Sequence, residues 1–116
     1  MLVFKDLEWK SWFDGVASFP KFDNGFGLSI VAGPGKYSTP NDESNSPDDF
    51  VSFEVGVIDQ NGDWVTKQFI PDLNDDVLGW QDRGQINALM LLVQSKNKKT
   101  RVMMYGWYLI ESRKNY

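Results

Sequence analysis

Phe50-Val51-Ser52-Phe53-Glu54-Val55-Gly56-Val57-Ile58, followed by Asp59-Gln60-Asn61-Gly62-Asp63, decides the fold. Val51, Phe53, Val55 and Val57 alternate with Ser52, Glu54, Gly56 and Ile58. A period of two puts the first set on one face of a strand, so the stretch reads as a strand with one buried face. Asn-Gly readily takes the positive φ values that tight hairpin turns require. Beyond it, Trp64-Val65-Thr66-Lys67-Gln68-Phe69-Ile70 is again rich in β-branched and aromatic residues, which predicts a second arm. Pro71 ends that arm, because proline has no N–H to give a ladder.

Upstream lies another turn, Asp23-Asn24-Gly25. Val16 to Phe22 reads as the first arm of a hairpin around it, with Pro20 restricting that arm to an edge. The first 22 residues are ambiguous: Trp9, Trp12, Phe13 and Val16 have helical spacing, yet Asp14-Gly15 would break a helix. Between the two hairpins, residues 33–49 are dense in Gly, Pro, Ser, Asn and Asp and carry Asp42, Glu43, Asp48 and Asp49. They read as one long acidic surface loop, longer than the usual connection and therefore either mobile or a working part.

Downstream the period changes. Ile86, Leu89, Met90 and Val93 fall at i, i+3, i+4 and i+7, one stripe of a helix. Asp82 and Gln85 stand three apart in a capping-box arrangement at its start, and Lys96 and Lys98 suit the negative end of its dipole. Gly84 in the first turn weakens the start slightly. After the basic turn at residues 97–100, Arg101 to Ile110 is apolar in both alternating sets and predicts a strand covered on both sides.

The expected architecture is α+β, a single domain over residues 1–116. An antiparallel β-sheet meander of four to five strands packs against one α-helix in the C-terminal half, with residues 96–116 as a basic and aromatic C-terminal strand and tail. The helix stripe should meet the inward sides of Val51 to Val57 and Phe69. The outer sheet face then needs covering, by the C-terminal strand or by a second copy, so the chain is expected to be a monomer or a homodimer.

Composition limits the chemistry. The 116 residues include no histidine and no cysteine, but 5 Trp, 4 Tyr and 8 Phe. Histidine is the side chain whose unperturbed pKa lies near neutrality, and cysteine is the thiolate nucleophile and soft metal ligand. The absence of cysteine also rules out a disulfide scaffold and fits a reducing compartment. The net charge is −4, not that of a nucleic-acid binder as a whole. It is uneven: residues 1–95 carry 6 basic and 15 acidic groups, whereas residues 96–116 carry 6 basic groups against Glu111. No apolar run approaches the roughly 20 residues that span a bilayer. Met1-Leu2-Val3-Phe4 leads straight into Lys5-Asp6-Leu7-Glu8, which predicts no secretory leader.

The motifs that suggest chemistry fail in detail. Asp59, Asn61 and Asp63 have the spacing that opens a calcium loop, but Trp64 stands where glycine belongs and Ile70 where the closing glutamate belongs. Asp72, Asn74 and Asp76 repeat the spacing with Val77 and Arg83 at those places. Gly33-Pro34-Gly35-Lys36-Tyr37 lacks the Ser/Thr after lysine and the earlier glycine of a phosphate loop. The paired carboxylates Asp42/Glu43, Asp48/Asp49 and Asp75/Asp76 lie in polar stretches where solvation keeps them ionised, unlike a glycosidase pair. No catalytic residue, metal site or cofactor is expected.

What remains is binding. Trp9, Trp12 and Phe13 are either core or an exposed anchor for another protein, a role in which tryptophan excels. Asp42, Glu43, Asp48 and Asp49 can meet a basic partner. Lys98, Lys99, Arg101, Tyr105 and Trp107 can meet phosphates and stack on bases, which makes single-stranded nucleic acid a possible partner.

Three segments also carry a resemblance. Asn24-Gly25-Phe26-Gly27-Leu28-Ser29-Ile30-Val31 resembles an NGYGxSVV segment. Phe53 to Asp59, with Gly62, resembles its usual follower, YELAVLD..G. Thr66 and Ile70 to Gly79, with Asp75-Asp76-Val77-Leu78-Gly79, resemble TPITDDVLG ahead of a terminal helix. Over residues 15–95 the chain is thus similar to a group of small uncharacterised proteins of tailed bacteriophages, from which it departs in the 33–49 loop and after the helix. The resemblance implies a viral origin and a life in the host cytoplasm. The expectation is a non-enzymatic accessory protein that binds a host protein, in its sharpest form a host-defence inhibitor. The alternatives are a single-stranded nucleic-acid binder and a minor virion structural component.

Overall fold

The computed structural model describes residues 1–96. A five-stranded antiparallel sheet runs in simple chain order: β1 (Lys10–Trp12), β2 (Gly15–Ser18), β3 (Gly27–Ala32), β4 (Phe53–Ile58) and β5 (Leu78–Gln81). A single helix, α1 (Arg83–Gln94), follows β5. The α+β meander with a helix in the C-terminal half is therefore the fold. Among the described residues no helix is long and apolar enough to cross a membrane. The predicted strand over residues 101–110 lies outside the described residues.

The sheet has two unlike faces. Leu28 pairs with Val57, Ile30 with Val55 and Val16 with Ala32, so these side chains share one face. With Phe53 they form the dry interior against Ile86, Leu89, Met90 and Val93 of α1, and Phe69 joins the same cluster. The other face carries Lys10 opposite Ala17, Trp12 opposite Gly15, and Val31 opposite Glu54.

The helix begins as its sequence dictates. Asp82 accepts the Gln85 N–H at 2.8 Å, and the Gln85 side chain accepts the Asp82 N–H at 2.9 Å. Asp82→Ala leaves the Gln85 N–H without its side-chain acceptor, while the Asp82 N–H keeps the Gln85 side chain, and is expected to cost about 1 kcal/mol in urea unfolding. At the far end the Asn24 amide donates to the Val93 carbonyl at 2.9 Å, so the β2–β3 turn clasps the last turn of the helix. The N-terminal segment straps along the same helix. Phe4 N–H donates to the buried Asn87 side chain at 2.6 Å, and Leu2 exchanges two hydrogen bonds with Gln94.

Both Asn-Gly turns have one construction. Gly25 N–H donates to Phe22 O and Phe22 N–H to Phe26 O; Gly62 N–H donates to Asp59 O and Asp59 N–H to Asp63 O. These are three-residue loops that close on a glycine, and only Gly25 (φ 92) and Gly62 (φ 84) are left-handed. The asparagines keep ordinary backbone, which leaves the Asn24 side chain for the helix.

Three expectations are corrected, and the open reading of the first 22 residues is decided. First, Trp64 to Ile70 is not a strand. Trp64 makes one isolated bridge to Ile58, and Thr66–Gln68 then turns as a 3-10 helix. The buried Thr66 hydroxyl takes the place of a ladder, accepting from Val57 N–H and donating to Asp76 O. The strand beside β4 is β5 instead. Second, Val51 does not face the helix: it is 63% exposed, while its neighbour Phe50 is buried. The alternation starts only at Phe53, because Ser52 bridges Thr39 rather than continuing the ladder. The first 22 residues hold no α-helix. Phe13 (φ 46) and Asp14 (φ 64) form a two-residue turn between β1 and β2. Third, β2 is not an edge, since it pairs with β1 on one side and β3 on the other. Pro20 lies beyond it; the Leu28 N–H donates to the Pro20 carbonyl at 3.0 Å, but proline has no N–H to return.

Candidate functional site: an exposed aromatic row on the outer sheet face

Exposed large rings gather where three segments meet. Phe13 at the β1–β2 tip is 73% exposed, Tyr37 in the long loop 49%, and Trp80 in β5 58%. Lys36 links the first two, its ammonium 5.7 Å from the Phe13 ring centre. Tyr37 and Trp80 pack with ring centres 5.2 Å apart, and Trp80 N–H donates to Tyr37 O at 2.9 Å.

Local backbone explains why these rings stand out. β5 carries one extra residue relative to β4, since Phe53 faces Gln81 while Val55 faces Leu78. Such a bulge kinks a strand and re-aims a side chain. Here it puts Trp80 at φ 53 and turns its indole to Tyr37. The close approach requires Gly79, where a β-carbon would lie 2.9 Å from Tyr37 Cβ. Phe13 occupies the first central position of its turn, where asparagine or glycine is the usual choice. Among the described residues the non-glycine positions with positive φ are Phe13, Asp14 and Trp80. Left-handed backbone costs a non-glycine residue roughly 1–2 kcal/mol.

Phe13 therefore gives a prediction of its own. Phe13→Asn relieves about 1 kcal/mol of backbone strain and loses an exposed edge contact with Trp12 worth about 0.5 kcal/mol. It also gives up the Lys36 ammonium over the ring, worth about 0.5 kcal/mol, so the substitution is expected to leave stability within about 0.5 kcal/mol in urea unfolding.

The loop at residues 33–49 is built into this region. Ser38 is buried and its hydroxyl accepts the Gly33 N–H at 3.0 Å. Tyr37 N–H donates to Glu54 on the outer face at 3.2 Å, and Ser44 N–H donates to Asp14 O at 3.1 Å. Arg83 pins the exit of the loop, donating to Phe50 O at 2.8 Å and to Pro47 O at 3.0 Å.

The residues singled out from sequence separate accordingly. Trp9 is half-buried and packs on the core, 5.3 Å from Phe53 and 6.0 Å from Phe4. Trp12 is half-buried on the outer face, in edge contact with Phe13 and Phe19. Trp12 and Glu43 line one open cleft with Phe13 and Asp14. Asp42 is exposed; Asp48 lines a separate hollow with Arg83, and Asp49 accepts the Ser44 hydroxyl. Lys98, Lys99, Arg101, Tyr105 and Trp107 lie outside the described residues. Tyr37 and Trp80 were not singled out, although each follows a glycine-bearing turn signal.

The Asp59 carboxylate serves its own turn, accepting the N–H groups of Asn61 and Asp63 at 2.9 and 3.0 Å. Among the described residues no group of three or more acidic side chains is placed to hold a metal ion. The chain matches no protein-family profile, no curated protein and no solved structure.

Proposed function

We propose that this chain is a non-enzymatic accessory protein of a tailed bacteriophage that acts in the host cytoplasm by binding a host protein, in its sharpest form as an inhibitor of a host-defence protein. The observation that carries the reading is the outer-face row. Phe13 and Trp80 are bulky, solvent-facing and held on left-handed backbone. Neither belongs to the apolar cluster around α1. Backbone strain that does nothing for the core is expected where a side chain must be presented to something else. Tryptophan and tyrosine are also the residues that dominate binding energy at protein interfaces. The phage assignment rests on the sequence resemblance over residues 15–95.

The test is affinity capture with the tagged full-length chain expressed in the bacterial host, followed by reconstitution from purified components. The expected result is one host protein, enriched in stoichiometric amount, that re-forms the complex in vitro. Failure to reconstitute any complex would sink the reading. Detection of the chain as a component of purified virions would replace it with a structural role.

A further inference from the structure

We infer that the Phe13–Tyr37–Trp80 row docks a lysine- or arginine-bearing segment of a protein partner, an assignment of surface and chemistry that rests on the protein-binding reading above. Charge argues for this occupant. Residues 1–95 carry 15 acidic groups against 6 basic ones. Three of those carboxylates flank the row. Glu54 lies under Tyr37, accepting its N–H through one oxygen. Asp14 and Glu43 line the cleft beside Phe13. None of the three forms an ion pair among the described residues, so no described cation neutralises their charge.

The rings argue the same way. An aromatic face attracts a cation within about 6 Å of its centre. The neighbouring rings already use that attraction: Lys36 lies over Phe13, and Lys10 lies 5.1 Å from Trp12 and 4.9 Å from Phe19. Trp80, the most exposed indole among the described residues, has no described cation over it and packs on Tyr37. A partner's guanidinium or ammonium over Trp80 reaches toward Glu54, and a second one enters the cleft toward Glu43 and Asp14. Nucleic acid is disfavoured here, because phosphates would meet the same carboxylates.

The experiment is an NMR titration of the isotope-labelled full chain with a synthetic peptide of alternating arginine and leucine. A peptide of alternating glutamate and leucine and a single-stranded oligothymidine serve as comparisons. The Trp80 indole and the Lys36 and Tyr37 amides are expected to shift with the arginine peptide alone, and less at high salt. Trp80→Asn tolerates left-handed backbone, and Glu54→Gln still accepts the Tyr37 N–H; each is expected to weaken binding about tenfold. Four results would overturn the inference. These are no shift up to about 1 mM peptide, shifts centred elsewhere, equal shifts with either comparison ligand, or dilution-dependent shifts of the same signals without peptide, which would identify a second copy as the occupant. A full-chain K98Q/K99Q/R101Q variant that alone binds the peptide would overturn it too, by identifying the chain's own basic segment as the occupant. Failure of this inference is separable from failure of the function. A reconstituted host complex indifferent to Trp80→Asn and Glu54→Gln removes the surface and keeps the function. Peptide docking on the row with no host complex does the reverse.

Discussion

Phe53→Ala is expected to lower stability by about 4 kcal/mol, which corresponds to a fall of roughly 15 °C or more in the thermal midpoint. Phe53 opens β4 at the meeting point of every part of the interior, and none of its surface is exposed. Its ring lies 5.3 Å from Trp9, 6.0 Å from Phe4 and 6.2 Å from Phe50. The Arg83 guanidinium stacks 5.3 Å above it while holding the Phe50 and Pro47 carbonyls. Removing the ring leaves a cavity whose walls are a strand, a helix start and a tethered loop. These cannot collapse together, because each is fixed by its own hydrogen bonds. The matching control is Val51→Ala, two residues earlier and on the predicted inward phase. Since Val51 is exposed, that change is expected to stay within about 0.5 kcal/mol. Equal losses from the two substitutions in urea unfolding would show that the alternation does begin at Val51 and that the strand is misplaced.

The contrast shows what the sequence could and could not reveal. The helix was legible because its signals are local: the Asp82–Gln85 box and the stripe Ile86, Leu89, Met90 and Val93 need no knowledge of the rest of the chain. Both turns were legible for the same reason, although the positive φ falls on Gly25 and Gly62 and not on their asparagines. The strand partners of β4 were less legible. Trp64 to Ile70 has the composition of a strand, while Leu78-Gly79-Trp80-Gln81 is short, interrupted by glycine and kinked by a bulge. Composition measures fit to a pleated surface; it carries no record of which segment reaches that surface. The aromatic row was hidden similarly. Trp12 and Phe13 stood out as possible anchors, but Tyr37 and Trp80 lie 43 residues apart in the sequence. They meet only because the long loop folds back on Glu54 and the β5 bulge turns the indole outward. Trp9, which had the same spacing and chemistry as Trp12, is instead held against the core by Phe4, a contact set up when residues 2–4 strap along α1.

Thr66→Val tests why the second arm of the Asn61-Gly62 hairpin is not a strand, and it is expected to cost about 3 kcal/mol. Valine has nearly the shape of threonine, so packing changes little, and the loss comes from two main-chain groups. The Thr66 hydroxyl accepts the Val57 N–H at 2.9 Å and donates to the Asp76 carbonyl. Thr66 and Val57 are both wholly buried. A buried N–H left without an acceptor costs about 1–3 kcal/mol, and the stranded carbonyl adds to it. The consequence reaches past stability. Val65 N–H also donates to Val57 O at 2.9 Å, so Thr66 continues a contact that would otherwise end at the turn. Through Asp76 the same hydroxyl fixes the segment leading into β5, and Asp76 O lies 3.1 Å from where a Gly56 β-carbon would stand, beside the Trp64 ring. Loss of the hydroxyl should therefore loosen β5 more than α1. Hydrogen exchange is expected to quicken first at Val57, Leu78 and Trp80, while the amides of Leu89, Met90 and Val93 stay protected until global unfolding. Because Trp80 belongs to β5, the docking proposed for the aromatic row should weaken in the same variant even under conditions where it is fully folded. Thr66→Ser, which keeps both hydrogen bonds and gives up one methyl, should restore most of the stability and the slow exchange at Val57. If valine keeps the stability and serine loses it, the methyl group rather than the hydroxyl holds this turn, and the account of why the chain leaves the ladder at Thr66 is wrong.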